Sequence, residues 1–429
     1  MAPAASEAPN SAPSAHPQCP MLPGFDPCDT DAQFGWMAKA RETSPVFYMP
    51  EYDLWCVTRH EDALDVLRDI ATFSSRDMIR VWPPPGDLAD DLKEGHPLEG
   101  TLVTTDPPAH TRIRKLAQKA TTPRQVKAQA PAIRGVCDEL IDRLDGQRSA
   151  DLMGEYAELI VTWSIASVIG CTREDAVRFR AWTNDAHVLA YSGPNLDPVI
   201  IREYSAKMVD FDRWIRELID NKRNNPGDDI TTALINAKSD DGEQSLSDRE
   251  IVAMIAGFVA AGSDTTATII GHAVYLLLKN DQWDQIVEDR SLIPAAVEET
   301  LRFRNSVTGM RRTATCDTVI NGVDIPEGSQ ILIHIVSANR DEEVFKDADT
   351  FNIHREALSE HLSLGKWRHF CLGAPLARLE AKIALERLSE RIPQLRLSEG
   401  ADLSEYVRNL VVPSLLSLDV AWEGRPSRA

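Results

Sequence analysis

The sequence has few of the features that hold together small secreted proteins, zinc modules and membrane proteins. Its 429 residues include only seven cysteines, which are dispersed and show no C-x-x-C spacing. This pattern argues against a disulfide framework and a structural zinc site, and it favours the reducing cytoplasm. The longest uncharged apolar run, Ile251–Gly262, is too short to cross a bilayer and is soon followed by Asp264.

The sequence also has no excess of basic residues. Lys and Arg total 46 against 66 Asp and Glu, which gives a formal net charge of -20. Such a chain is a poor general ligand for nucleic acid or for an anionic membrane. The segment 1–20 is rich in Ala, Pro and Ser and lacks the basic start and apolar core of a signal peptide. We therefore expect a disordered tail over 1–20, one large domain over 21–429 and no membrane anchor.

Aromatic residues make up only 6% of the chain, whereas Ala, Leu, Arg and Glu recur throughout, so the fold class is predicted to be mainly α. Apolar residues three and four positions apart predict several helices. These cover Pro131–Leu144, Leu152–Val168, Arg249–Leu278, Ala295–Phe303 and Leu376–Ile392. The sequence Ser-Asp-Arg-Glu over 247–250 is a capping box and predicts the start of the longest of them.

Strand patterns are fewer and short. Phe47–Met49 and Trp55–Thr58 predict an early hairpin. A second hairpin is predicted where Asn321 and Gly322 separate Thr318–Ile320 from Val323–Ile325, because Asn-Gly favours a two-residue hairpin turn. A further strand is predicted over Ile331–Ile335. We expect one large helical body with a small β-sheet region.

Cys371 lies directly before a helical run, with Pro375 near the first helical turn. Backbone N–H groups at a helix start favour a thiolate over a thiol, and Gly373 allows the backbone to approach the sulfur. A thiolate on haem iron favours cleavage of the O–O bond. Taken alone, Cys371 fits better as a small buried hydrophobic residue, as most free cysteines are. The other motifs decide between the two interpretations.

The segment Ala-Gly-Ser-Asp-Thr-Thr over 261–266 lies in the middle of the longest predicted helix. Its short polar side chains compete for backbone carbonyls one turn back, which predicts a bent or opened turn. A polar patch facing water is the alternative, but the strongly apolar flanks disfavour it. Gly257 and Ala261 share a helical face with Thr265. Both are small, which predicts room for a substrate beside Thr265.

Together these motifs resemble those of the cytochrome P450 family, the haem-thiolate monooxygenases. The family's usual cysteine loop is Phe-Gly-x-Gly-x-His/Arg-x-Cys-x-Gly. The matching residues are Gly365, His369, Cys371 and Gly373. Leu364 replaces the usual Phe, and Trp367 replaces a glycine. Trp367 has three open interpretations: a cover for the haem edge, a rigid surface for a partner, or ordinary packing.

The resemblance implies haem b (iron protoporphyrin IX) as cofactor, with Cys371 as the metal ligand. It assigns Asp264 the delivery of protons and Thr265 a hydrogen bond to dioxygen. Glu299 and Arg302, one helical turn apart, correspond to a buried structural pair. The implied partners of the haem propionates are His110, Arg114, Arg312 and His369.

The implied reaction inserts one atom of dioxygen into a small, largely apolar molecule, by hydroxylation or O-dealkylation. Electrons would come from NAD(P)H through a separate ferredoxin and reductase to a monomeric enzyme. A peroxide-driven enzyme and a non-catalytic haem sensor are the alternatives. The predicted substrate pocket includes Trp82, Gly257, Ala261, Val307 and Thr308. Terpenoids, aromatics, fatty acids and steroids all remain open as substrates.

Basic residues gather near the cysteine loop and the segment around His110, in spite of the acidic composition. They are Arg112, Lys115, Lys119, Lys366, Arg368, Arg378 and Lys382. In the family's architecture these segments frame the haem face on the cysteine side. This predicts a basic dock for an acidic ferredoxin; the alternative is scattered solvated charge.

Overall fold

The fold is taken from a computed structural model of the chain. It describes residues 32–79, 83–93, 95–179, 181–183, 187, 196–240, 242, 244–407, 409–424 and 426. The tail predicted over 1–20 lies outside the described residues, and so does Trp82.

Helices form the bulk of the described structure. In chain order they are α1 (Ala32–Thr43), α2 (His60–Arg68), α3 (Ala109–Ala120), α4 (Pro123–Ala128), α5 (Ala130–Arg143), α6 (Glu158–Ile169), α7 (Arg173–Ala176), α8 (Pro198–Asn224), α9 (Ile230–Ile235), α10 (Asp248–Lys279), α11 (Trp283–Glu288), α12 (Ile293–Phe303), α13 (Ile335–Ala338) and α14 (Ala374–Arg391). A π-helical turn over Met153–Ala157 leads into α6.

The five helices predicted from apolar spacing are confirmed to within a few residues, with the π-helical turn at the start of the second. The capping box is confirmed as well. The backbone N–H of Glu250 donates to Ser247 Oγ at 3.3 Å, and the N–H of Ser247 donates to Glu250 Oε2 at 2.8 Å. These two bonds satisfy donors that the first turn of α10 would otherwise leave open.

The strands are short. They are β1 (Val46–Met49), β2 (Leu54–Val57), β3 (Phe73–Ser74), β4 (Ser149–Asp151), β5 (Met310–Ala314), β6 (Thr318–Ile320), β7 (Val323–Ile325), β8 (Gln330–Ile333), β9 (Arg396–Leu397), β10 (Tyr406–Val407), β11 (Ser414–Leu415) and β12 (Asp419–Ala421). The largest sheet has five strands in the order β1-β2-β8-β5-β3.

Both predicted hairpins are confirmed. Val46 pairs with Val57 in the antiparallel β1–β2 ladder, and β6 pairs with β7. In the second hairpin Asn321 and Gly322 have φ angles of 47° and 74°, which the turn that matches strand twist requires. The strand predicted over Ile331–Ile335 ends earlier, because Ile335 begins the short helix α13.

Helix α10 runs through the centre of the fold and packs against α6, α12 and α14. It is long and apolar enough to meet the criteria for a membrane span, yet most of it is buried inside the protein. A side chain at Gly262 would collide with Ile165 of α6. The glycine therefore allows α6 and α10 to approach closely. On its other side, α10 faces the loop that precedes α14 across a cavity.

Candidate active site

The cavity between α10 and the cysteine loop has a volume of about 340 Å³. Thr265 and Ala261 line it from α10, and Cys371 and Leu364 line it from the loop. Two motifs that are far apart in sequence therefore face one cavity. Most of the remaining lining is apolar.

The cysteine loop presents the sulfur of Cys371 to this cavity. The N–H of Cys371 donates to Leu364 O at 2.7 Å, and Gly365 has a φ of 69°, which favours glycine. Burial raises the pKa of the Cys371 thiol, while the N–H groups of Gly373 and Ala374, at the start of α14, lower it. The backbone N–H groups of the loop thus favour negative charge on the sulfur, and a bound metal ion would complete its deprotonation.

A group of buried basic side chains lies beside the cysteine. Arg312 is 3% exposed, and burial lowers its pKa to about 10. One terminal nitrogen donates to Arg311 O at 2.6 Å. In the part of the chain that the structure describes, Nε of Arg312 has no partner and no carboxylate forms an ion pair with this side chain. A buried guanidinium in this state calls for an anion.

Two histidines continue the group. The rings of His110 and His369 lie 4.3 Å apart, centre to centre. His110 is 1% exposed, and neither ring nitrogen has a partner among the described residues. Burial lowers the pKa of His110 to about 4 and that of His369 to about 3, so both rings are neutral near pH 7. His369 Nε2 lies 3.1 Å from Ser75 Oγ.

These residues fit the edge of a haem. Its two propionates are anions that accept hydrogen bonds, and Arg binds carboxylates with its planar fork. Arg312, Arg114 and His369 line the cavity that also holds Cys371. Arg114 already donates to Phe370 O at 2.6 Å, so it also braces the cysteine loop. The orphaned polar atoms of Arg312 and His110 are the observation that favours this fit.

The polar segment of α10 departs from its prediction. Thr265 Oγ1 donates to Ala261 O at 2.6 Å and Ser263 Oγ donates to Val259 O at 2.8 Å, so the side chains do bond carbonyls one turn back. The helix nevertheless continues without a break from Asp248 to Lys279. The prediction of an opened turn was wrong. A carbonyl oxygen has a second lone pair, so it accepts a hydrogen bond from the hydroxyl group and keeps the one from the helix backbone N–H.

Asp264 lies on the same turn of α10 and is largely buried, with 12% of its side chain exposed. It accepts a hydrogen bond from Ser414 Oγ at 3.3 Å, and His187 Nδ1 is 3.6 Å from its Oδ2. His187 also lines the cavity. Sequence reasoning missed both neighbours, because Ser414 and His187 lie far from Asp264 along the chain.

The Glu299–Arg302 pair is fully buried, with both side chains 0% exposed. Arg302 donates to the carboxylate of Glu299 through two nitrogens at 2.7 and 2.8 Å. It also donates to the carbonyls of Asn339 and Ala348 at 3.0 and 2.9 Å. The pair thereby ties α12 to the segment that leads into the cysteine loop.

Three of the predicted pocket residues line the cavity: Gly257, Ala261 and Val307. Thr308 was a wrong prediction. Its hydroxyl is buried and donates to Leu410 O at 2.6 Å, so it stabilises the backbone instead of facing the cavity. Trp82 lies outside the described residues. The apolar lining residues that sequence reasoning missed include Met78, Ile79, Met254, Phe258, Ile269 and Val412.

Glu380 was also missed. It lies on α14, lines the cavity and is 2% exposed. Burial raises its pKa to about 8, so the carboxyl is mostly protonated at neutral pH. A carboxyl group on the helix after the cysteine was visible in the sequence, but its burial depended on the packing of α14.

Several of the basic residues assigned to the predicted dock are already paired with acidic residues. Arg112 forms an ion pair with Glu250, and Lys119 pairs with Asp240 at 2.7 Å. Arg378 and Lys382 are likewise paired with acidic residues. Lys115, Lys366 and Arg368 form no ion pair with any residue that the structure describes. Three of the four paired residues have partners distant in sequence, whereas Lys382 pairs with Glu386 one turn away on the same helix. The dock itself stays a prediction.

Known proteins match this chain over most of its length. The family model described as Cytochrome P450 matches residues 200–391. The protein named Cytochrome P450 107B1 of Saccharopolyspora erythraea is 37% identical over 409 residues, which cover 94% of this chain and 98% of that protein. The mycinamicin IV hydroxylase/epoxidase of Micromonospora griseorubida is 33% identical over 90% of this chain and 95% of its own length.

A solved structure agrees with the sequence matches. The cytochrome P450 CREJ, determined in complex with (4-ethylphenyl) dihydrogen phosphate, superimposes with a TM-score of 0.85 at 31% identity. The match covers 93% of this chain and 99% of CREJ. Cys371 and the long helix α10 line one cavity, and the buried Arg312 beside it keeps an unpartnered Nε among the described residues; these features agree with the likenesses. The chain therefore belongs to the cytochrome P450 family of haem b-dependent monooxygenases.

Proposed function

We propose that this enzyme inserts one oxygen atom into a neutral, largely apolar organic molecule, by hydroxylation or O-dealkylation. The observation that carries the proposal is that Cys371 and Thr265 line the same apolar cavity, with an unpaired buried guanidinium beside them. Haem b, when bound through a thiolate, supplies the activation of dioxygen.

Cys371 would hold the iron, and the buried basic group would hold the propionates. Arg312 offers its unpaired Nε, and His110 offers two unpaired ring nitrogens. Arg114 and His369 line the same cavity and complete the set. An anion bound here satisfies buried donors that otherwise carry a desolvation cost.

Asp264 and Thr265 would handle the protons. Thr265 has its hydroxyl at the cavity wall, where it is able to donate to dioxygen in place of Ala261 O. Asp264 is held by Ser414 and lies beside His187, and it would pass protons inward from solvent toward Thr265. A general acid must be held within reach of the group it protonates, and these contacts support that role.

The lining supports a substrate without charge. Gly257 and Ala261 leave space on α10, and Met254, Phe258 and Val307 make the wall apolar. Burying a charged substrate group against such a wall would cost several kcal/mol, on the order of the penalty for an unpaired ion. Electrons would come from NAD(P)H through a separate ferredoxin and reductase in the cytoplasm, to a monomeric enzyme.

The test begins with the purified protein reduced by dithionite under carbon monoxide. A thiolate-ligated haem gives a strongly red-shifted Soret band. We expect the band in the wild type and its loss in Cys371→Ala. A screen of neutral apolar compounds should then find ligands that shift the haem absorption to the blue, and these should be oxidised with NADPH, ferredoxin and reductase. A red-shifted band that persists in Cys371→Ala would contradict the proposal.

A further inference from the structure

Among the described residues, two of the seven exposed large hydrophobic side chains lie in the cysteine loop. Trp367 is 45% exposed and Phe370 is 37% exposed. Trp367 does not line the cavity, whereas Phe370 does. Phe370 is also the chain neighbour of Cys371. Of the interpretations left open for Trp367, its exposure excludes interior packing, and its absence from the cavity lining disfavours a cover for the haem edge.

The backbone at Trp367 is unusual for a bulky residue. Its φ of 50° lies in the left-handed region, which glycine adopts without strain. The chain therefore accepts a local conformational cost at this position, although almost half of the Trp367 side chain stays exposed. Strain of this kind concentrates at functional positions, because it persists only where something else requires the residue.

Basic side chains surround the exposed ring. The guanidinium carbon of Arg68 lies 5.0 Å from the centre of the Trp367 ring, a cation–π contact. Arg368 donates to Thr111 Oγ1 at 3.3 Å, and Lys366 donates to Ser359 O at 2.8 Å. Within the described part of the chain, neither these three cations nor Lys115 forms an ion pair. These basic side chains form a rim beside an exposed aromatic ring, on a protein whose net charge is -20.

We propose that Trp367, with Arg68 stacked on its ring, is the anchor on which an acidic electron-donor protein docks beneath Cys371. Trp and Arg are the residues most enriched at energetic centres of interfaces, where surrounding charges steer the encounter. The rim fits a negatively charged partner. Phe370 belongs to the same exposed patch and directly precedes Cys371. A partner that binds to this patch therefore comes close to the sulfur. This inference rests on the proposed ferredoxin dependence.

The test uses the haem-loaded enzyme and a plant-type [2Fe–2S] ferredoxin with its reductase. Trp367→Gly removes the anchor and suits the backbone, so its melting temperature should equal or exceed that of the wild type. We expect ferredoxin to bind on the order of tenfold more weakly to Trp367→Gly. Trp367→Phe should recover part of the loss. Val319→Ser removes another exposed hydrophobic side chain, at 59% exposure, and should change nothing.

Two further measurements separate the anchor from the charges and from the haem. Reduction by dithionite should be equally fast in the wild type and Trp367→Gly, because a small reductant needs no dock. Raising the salt concentration should weaken ferredoxin binding to Trp367→Gly as steeply as to the wild type. It should do so less steeply for Lys115→Glu with Arg368→Glu, since those charges carry the salt dependence.

Three other outcomes are possible, and each would reject a specific part of the proposal. Normal ferredoxin affinity in Trp367→Gly, with weakened binding in the charge-reversed variant, would reject the anchor and leave the ferredoxin dependence intact. Slow dithionite reduction in Trp367→Gly would mean that the residue acts on the haem environment, and this also rejects the anchor. A wild type that gives the red-shifted carbon monoxide band but does not bind the ferredoxin would reject both the electron supply and the dock.

Discussion

Arg302 and Arg312 are both buried, but their hydrogen-bond and ion-pair partners differ. Arg302 has a carboxylate in bidentate contact and further bonds to backbone carbonyls. Arg312 has a carbonyl on one nitrogen and nothing on Nε among the described residues. The first guanidinium is satisfied by the protein, and we propose that the second is left for a ligand. At similar burial, Arg302 belongs to a structural ion pair and Arg312 belongs to the proposed binding group.

The largest effect should follow from breaking the satisfied pair. Glu299→Ala leaves Arg302 and Arg355 buried without their counter-ion, and breaking such a pair costs about 3–5 kcal/mol of unfolding free energy. Chemical denaturation should show the loss. The matched control is Glu139→Ala, which removes an exposed carboxylate that pairs with Arg143 and Arg173. It should cost less than about 1 kcal/mol. Equal costs would remove the distinction drawn for Arg302.

Glu380 sharpens the comparison, because an unpaired buried acid is able to neutralise itself. Its pKa rises from 4.5 to about 8 through burial. Between these values the folded state keeps a proton that the unfolded state has lost, so stability falls as pH rises through this window and is unaffected below it. Glu380→Gln should remove the slope. Relative to the wild type, Glu380→Gln should gain on the order of 3 kcal/mol of unfolding free energy by pH 8, after relaxation of the site.

Denaturation midpoints of wild type and Glu380→Gln, measured from pH 5 to 8, test this prediction. The two curves should diverge steadily with pH. Asp264→Asn serves as the control substitution of another largely buried carboxyl, on α10, and we expect it to leave that slope in place. Parallel curves for wild type and Glu380→Gln would show that the carboxyl is not held protonated.

Arg312→Leu tests the group left for a ligand. Charge-assisted hydrogen bonds contribute about 2 kcal/mol, so haem should dissociate roughly tenfold faster or more from this variant, as measured by transfer to apomyoglobin. The haem-free protein should be no less stable to denaturant, because an unpaired buried charge has been removed. Arg302→Leu should show the reverse pattern. A large loss of stability in haem-free Arg312→Leu would contradict the comparison.

The smallest effect should come from Thr308, whose hydroxyl is satisfied by Leu410 O. Thr308→Val should cost about 1 kcal/mol of stability and leave ligand affinities unchanged. Ala261→Leu, which fills the cavity from α10, should instead weaken the binding of bulky ligands in the spectral assay. An altered ligand profile in Thr308→Val would restore this residue to the pocket.

Local patterns allowed much of the fold to be predicted. The capping box at Ser247 and the Asn321–Gly322 hairpin act over three or four residues, so neighbouring side chains decide them. The cavity lining was less accessible. Val307 and Thr308 are adjacent and both suited a pocket, yet only Val307 faces it. Which of two neighbours points inward depends on how β5 and the segment near Leu410 pack, and no local pattern encodes that.

The sequence by itself determined the helices and the hairpins, and it led to Cys371, Asp264 and Thr265 as the proposed active residues. Only the tertiary structure decided which charges are used internally and which remain available. Arg112 pairs with Glu250, whereas Lys115, one turn further along α3, has no ion-pair partner in the described chain. The physical reason is that the desolvation and pairing of a charge depend on groups brought near by folding, whatever their separation in sequence.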